Sequence, residues 1–202
     1  DRDVSFSGGG ELDNGTTFSM STTTNDNHAI SASTTTITTP SFGSFSIGTD
    51  NGSASYMYDE EVPTAYEQVS DGKDTASNKV GDFMDNNSIM YTSPTLELLG
   101  ASVTAHLGYS PQASDPASAP GDGAQVAYSE SVGAGHEAGL TISYEGLKVG
   151  VYGAERDRTV PKVAAATGNY ESDEFNGAWY AKYSMGPVTI GYSEFYLDAG
   201  VT

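Results

Sequence analysis

The chain has 202 residues, 37% of them hydrophobic, with 24 Gly, 13 Tyr, no Cys and a formal net charge of −19 at pH 7. The 27 acidic residues against 8 Lys and Arg argue against a nucleic-acid partner, because phosphate binding is the work of Lys and Arg. The lack of Cys excludes a disulfide scaffold and thiolate metal sites, no run approaches the ~18 apolar residues of a membrane helix, and a soluble sandwich of this length would want a richer aliphatic core.

Short stretches that alternate apolar and small polar residues recur along the chain and pair around tight turns. Regular pairing and abundant Tyr argue against disorder, which low hydrophobicity and high charge would otherwise suggest. The alternation predicts about ten strands. They lie near 4–10, 15–21, 28–38, 43–50, 87–93, 99–109, 137–144, 147–154, 174–183 and 188–197. Short turns fall at Glu11 to Asn14, Thr39 to Phe42, Pro94 to Leu98, Glu145-Gly146 and Ser184 to Pro187. Longer connections, 22–27, 51–86, 110–136 and 155–173, alternate with them. Such alternation places every short turn on one edge of an up-and-down sheet and every long loop on the other.

Successive strand residues point to opposite faces, so each strand can be divided by parity. One face carries Phe18, Met20, Phe45, Ile47, Ile89, Tyr91, Val103, Leu107 and Tyr109, then Leu140, Ile142, Tyr144, Leu147, Val149, Val151, Trp179, Tyr183, Val188, Ile190 and Tyr192. The other carries Ser19, Ser46, Ser88, Met90, Thr104, His106, Thr141, Ser143, Lys148, Tyr180, Lys182 and Thr189. A β-barrel with a wet interior has this pattern, its apolar residues facing outward. Tyr91, Tyr109, Tyr144, Tyr183 and Tyr192 suit an interfacial girdle, with rings in the acyl boundary and hydroxyls among headgroups.

Segment 51–86 carries Asp59, Glu60, Glu61, Glu67, Asp71, Asp74, Asp82 and Asp85 against Lys73 and Lys79. In isolation it reads as a solvated acidic loop. His28, His106 and His136 lack metal-ligand spacing, and neither a phosphate loop nor a nucleophile–base set stands out. No cofactor is expected; the acidic loops are suited to diffuse Ca²⁺ or Mg²⁺ binding through carboxylate oxygens.

Several segments resemble the general Gram-negative porin family. Asn87-Ser88-Ile89-Met90-Tyr91-Thr92-Ser93-Pro94 is similar to the family strand that follows the constriction loop. Ser41-Phe42-Gly43-Ser44-Phe45-Ser46-Ile47-Gly48 resembles the strand that precedes it, and Gly186-Pro187-Val188-Thr189-Ile190-Gly191-Tyr192 resembles a recurrent family hairpin. The resemblance implies an all-β, antiparallel up-and-down transmembrane β-barrel of roughly 16 strands around an aqueous channel. Residues 1–202 would form part of that one barrel domain, with the first strand and several C-terminal strands missing from this chain. The family also implies a homotrimer in the bacterial outer membrane, surrounded by lipid and lipopolysaccharide, passing small hydrophilic solutes without any enzymatic step.

In the family the loop corresponding to 51–86 folds inward and narrows the pore. That would make Asp59, Glu60, Glu61, Glu67, Asp71, Asp74, Asp82 and Asp85 the pore constriction, with Asp59-Glu60-Glu61 narrowest and Tyr56 and Tyr58 anchoring it. Related porins face this loop with an Arg ladder. Here Met90 stands at the usual Arg position and Thr49 follows Gly48 where Arg is common. Met90, His106, Lys148 and Lys182 are then the pore-wall candidates, and the weakened basic wall implies cation preference. Two other classes compete. A secreted or cell-surface β-sandwich adhesin would bury the apolar face against a second sheet, and a lipid-hydrolysing barrel would pair His106 with Ser102 or Thr104.

Overall fold

A computed structural model describes residues 3–25, 29–49, 51, 53–58, 61–62, 84, 87–111, 113, 132–158 and 173–198. Eleven strands form one antiparallel sheet: β1 (Val4–Glu11), β2 (Thr17–Thr24), β3 (Ile30–Thr39), β4 (Gly43–Thr49), β5 (Ser88–Thr92), β6 (Leu96–Leu98), β7 (Ala101–Ser110), β8 (Val132–Tyr144), β9 (Leu147–Arg158), β10 (Glu174–Met185) and β11 (Val188–Asp198). The order follows the sequence, except that β5 pairs with β7 and the three-residue β6 pairs alongside β7. β6 occupies part of the stretch that reads as a turn, because Pro94 and the shortness of the segment hide its alternation. Among the described residues the sheet is open, with β1 and β11 as its two edges. β3 and β7 to β11 run 10 to 13 residues each, which matches the ~9–11 residues a tilted strand needs to cross a bilayer.

Register carries side-chain parity across the whole sheet. One row runs Phe18, Ile37, Phe45, Tyr91, Leu107, Ala138, Gly153, Gly177, Tyr196. The adjacent row, on the other face, runs Ser19, Thr36, Ser46, Met90, Gly108, Glu137, Ala154, Asn176, Leu197. The first face is apolar and open: Met20, Ile47, Val151 and Trp179 are all exposed, and Ile190 is 67% exposed. The second buries Glu137, Arg156, Glu174 and Asn176. This inverts the usual soluble arrangement, in which ionisable side chains are rarely buried. The sandwich alternative would need a second sheet over Leu140, Val149 and Ile190; all three instead lie on the open face, partly or fully exposed. Tyr144 and Tyr183 sit on that face beside the short turns, Tyr109 sits near the long-loop end, and Tyr192 is the fifth residue past its turn.

The Glu145-Gly146 turn forces a non-glycine residue into the left-handed region, with Glu145 at φ 49°. Glycine there relieves the steric cost. Glu145→Gly should therefore leave unfolding unchanged or raise stability by up to about 1 kcal/mol. A denaturant midpoint would measure it, and a clear loss would show that the Glu145 side chain has a role of its own.

Candidate functional site

The chain leaves β4 at Thr49 and turns onto the polar face of the sheet. Ser53 accepts from the Ser55 backbone N–H through its hydroxyl and caps a one-turn 3-10 helix, Ala54–Met57. This helix packs against β7 and β8. Its fixing point is Glu137 on β8, whose carboxylate accepts from Ser53 Oγ at 2.6 Å, from the Ala54 backbone N–H at 2.7 Å and from the Tyr152 hydroxyl at 2.6 Å. Bonds to a carboxylate are short and strong, about twice a neutral pair.

Tyr58 follows and is fully buried. Its ring stacks on Tyr152 at 5.3 Å between centroids and meets His106 edge-on at 6.1 Å. Room for it comes from Gly139, where a Cβ would stand 2.3 Å from the Tyr58 hydroxyl oxygen. Gly150 makes space for Tyr180 in the same way, at 2.2 Å from its ring. Tyr58, Tyr152, Tyr180, Ala54, Met84, Ala154 and Ala178 form one buried cluster, with Val62 and Met90 packed beside it. Burial pushes the Tyr58 hydroxyl up to about 12, since an ionised phenolate would lose its hydration. Gly139→Val should expel Tyr58 and detach the 53–62 segment without unravelling the strands. Limited proteolysis would show it as new cleavage within 53–62, and an unchanged digestion pattern would contradict the close packing.

Beyond Tyr58, Glu61 reaches two bases. Lys148 Nζ donates to Glu61 Oε1 at 2.8 Å, and Lys182 Nζ donates to Glu61 Oε2. Lys148 and Lys182 stand directly opposite on β9 and β10, with their ammonium groups 5.7 and 6.0 Å from the Tyr180 ring centroid. Partial burial works against the Glu61 charge, but hydrogen bonds and attraction from both lysines outweigh it and hold its pKa below the usual 4.5. A lowered carboxylate pKa contributes stability that is present above about 4.5 and is lost as pH falls through the folded value. The difference in loop retention between the native protein and Glu61→Gln should hence be constant from neutral pH to about 5 and decline as pH falls further, through the lowered folded value. Protease protection of the 53–62 segment against pH would test this, and a difference that grows on acidification would contradict it.

The other buried ion pair is Arg156 with Glu174, joined through Nε at 3.0 Å and Nη2 at 2.6 Å. On this face Lys148 and Lys182 thus share one carboxylate, Glu61, and Arg156 has another, Glu174. Away from the loop, the inward side of β1 to β3 forms an open groove of about 470 Å³ bordered by Ser7, Ser19, Ser21, Thr34 and Thr36.

Strand register puts Met90, His106, Lys148 and Lys182 on one face of the sheet, the polar one, as their parity predicts. Glu61 reaches Lys148 and Lys182, while Met90 and His106 lie around Tyr58. Asp59, Glu60, Glu67, Asp71, Asp74, Asp82, Asp85 and the Tyr56 side chain lie outside the described residues. The His106 dyad does not form with Ser102 or Thr104. His106 Nδ1 is 3.3 Å from Thr92 Oγ1, Ser102 donates to Glu97, and Thr104 contacts Thr95. His136 points to the opposite face, opposite Glu155 across the β8–β9 pair, and His28 lies outside the described residues. Among the described residues no three His, Asp or Glu side chains converge as a metal site.

Glu137 escaped the sequence reading. Its signal is Gly135-His136-Glu137-Ala138-Gly139, an inward carboxylate with inward glycines two residues away on either side. Gly135 leaves room for Ala113 and Met84, and Gly139 for Tyr58.

An antiparallel meander with an open apolar face, short turns at one rim and a loop seated on its polar face has the architecture of an outer-membrane strand protein. The Gram-negative porin family matches residues 1–201, nearly the whole chain, and the protein belongs to that family. Comparison with curated proteins and with solved structures gives no match. Membership makes a channel role, rather than enzymatic catalysis, the family's function and places the chain in the outer membrane.

Proposed function

We propose that this chain forms most of a water-filled diffusion channel that passes small hydrophilic solutes and prefers cations. The observation that carries the reading is the inverted sheet: apolar side chains stand open on one face, and residues 53–58 and 61–62, at the start of an acidic segment, are docked on the other. A closed barrel of roughly 16 strands, the size the family resemblance implies, leaves no unpaired edge in lipid. It crosses the outer membrane many times, with homotrimer formation and lipopolysaccharide contact following the family pattern.

Segment 51–86 is the constriction. Its beginning is held on the polar face, and its eight carboxylates, Asp59, Glu60, Glu61, Glu67, Asp71, Asp74, Asp82 and Asp85, outnumber the segment's two lysines. On the wall, Glu61 offsets one of the two charges of Lys148 and Lys182, Glu174 offsets Arg156, and Met90 and His106 add no strong cation. Carboxylates in a confined passage raise the local concentration of cations. Reversal potentials of the full-length protein in a bilayer under a KCl gradient test this. The expected sign is that of K⁺ permeating faster than Cl⁻; a potential of the opposite sign rejects cation preference, and absence of conductance rejects the channel.

A further inference from the structure

Lys148 and Lys182 form a directly opposed pair across β9 and β10, on the inward face near the short-turn rim. Like charges in that position repel. Two features offset the repulsion. The Tyr180 ring lies beneath both ammonium groups, and its negative π face attracts cations. The Glu61 carboxylate spans the pair, one oxygen to each nitrogen. The lysines are fixed by strand register, whereas the carboxylate arrives on a connecting segment 87 residues before one and 121 before the other. The arrangement is a two-ammonium cradle on a fixed backbone register, holding a carboxylate that does not belong to the wall.

We propose that Lys148, Lys182 and Tyr180 form a binding site for a small oxyanion, a carboxylate or phosphate group of a passing solute, and that Glu61 is the resident occupant that keeps the site closed. The inference rests on the channel reading above. Occupied, the site carries two positive charges and one negative; vacated, it carries two positive charges alone. The side chains of Lys148, Lys182 and Glu61 retain 33%, 26% and 20% of their exposure, so water and small ions reach the pair. Ammonium groups bind phosphate as point charges without a fixed fork, which suits exchange between one oxyanion and another. Glu61 therefore suppresses anion passage by occupying the basic site as well as by its own charge.

The test uses the full-length protein in planar bilayers with inorganic phosphate as the probe, at fixed ionic strength. In the native protein, millimolar phosphate should leave the current unchanged. Glu61→Gln keeps the side-chain volume but removes the charge; its cation-to-anion permeability ratio should fall by about tenfold, and millimolar phosphate should then reduce the current. Glu61→Asp, one methylene shorter, draws the carboxylate back from the lysines and should show an intermediate phosphate effect. Adding Lys148→Met and Lys182→Met to Glu61→Gln should abolish the effect.

A purely structural bridge would loosen the loop without creating any phosphate sensitivity. The proposal is overturned if phosphate leaves both the Glu61→Gln and Glu61→Asp currents unchanged, or if the effect survives removal of both lysines. Conductance without phosphate sensitivity in the variants overturns this inference alone, whereas a native protein that conducts no ions overturns the channel reading as well.

Discussion

Glu137→Ala should release the 53–62 segment from the sheet while the strands keep their pairing. Two loop donors lose their acceptor at once, the Ser53 hydroxyl and the Ala54 backbone N–H, and the Tyr152 hydroxyl on β9 loses its bond to Glu137. Glu137 and Ser53 are buried, and Ala54 is fully so. A buried donor left without a partner costs about 1–3 kcal/mol, so docking should weaken by on the order of 3 kcal/mol or more. That corresponds to faster exchange of the Ala54 amide by a factor of at least ~100. Tyr58 would lose its seat as well, because its ring depends on the same placement. Glu137→Gln should do much less. Its amide oxygen can accept from Ala54, and its NH₂ can donate to hydroxyls, which accept as readily as they donate. Hydrogen exchange at Ala54 separates the two variants, and full protection in Glu137→Ala would show that the loop is held by something else. In single-channel recordings the same alanine variant should show larger and noisier conductance, since the constriction is no longer tied to the wall.

The second large effect concerns the opposite face. Val151 stands exposed between Leu140 and Trp179 on the apolar side. Val151→Arg should destabilise the full-length protein in lipid vesicles by about 2–4 kcal/mol, the penalty for Arg near the bilayer midplane of a barrel. Ser19→Arg is the matched control. Ser19 borders the open inward groove with Thr34 and Thr36, so a guanidinium there stays hydrated and should cost under about 1 kcal/mol. Denaturant unfolding in vesicles reads both values. Equal losses, or the larger loss at Ser19, would mean that the faces are assigned the wrong way round.

Most of the sheet was legible because a strand has period two, and a barrel wall exposes that period over its full length. The parity of Lys148, Lys182, His106 and Met90 needed nothing more than counting along each strand. β6 was hidden because Leu96–Leu98 offers only three residues behind Pro94. Glu194 was hidden for a different reason. It lies on the apolar face, where period two demands a greasy residue, and there it accepts from Trp179 Nε1 at 2.9 Å and from the Tyr192 hydroxyl at 2.7 Å. The two aromatic donors supply the polar partners that a carboxylate needs in an apolar setting.

The site was legible only in parts. The acidic character of 51–86 is a matter of composition, and the inward position of the two lysines is a matter of parity. That one carboxylate, Glu61, joins both lysines depends on how the intervening chain is held. That holding comes from Glu137, Gly139 and Tyr152, residues with no charge pattern of their own. Close packing of Tyr58 over Gly139 is a property of three strands and a loop together, and no local window contains it.

The chain has a single tryptophan, Trp179, placed by register on the apolar face at the level of Val151 and Leu140. Its fluorescence therefore reports directly on what that face touches. In vesicles, lipids brominated along the acyl chain should quench Trp179 strongly while aqueous iodide leaves it bright. Strong quenching by iodide, with no effect of brominated acyl chains, would place the greasy side of the sheet away from lipid and contradict the account.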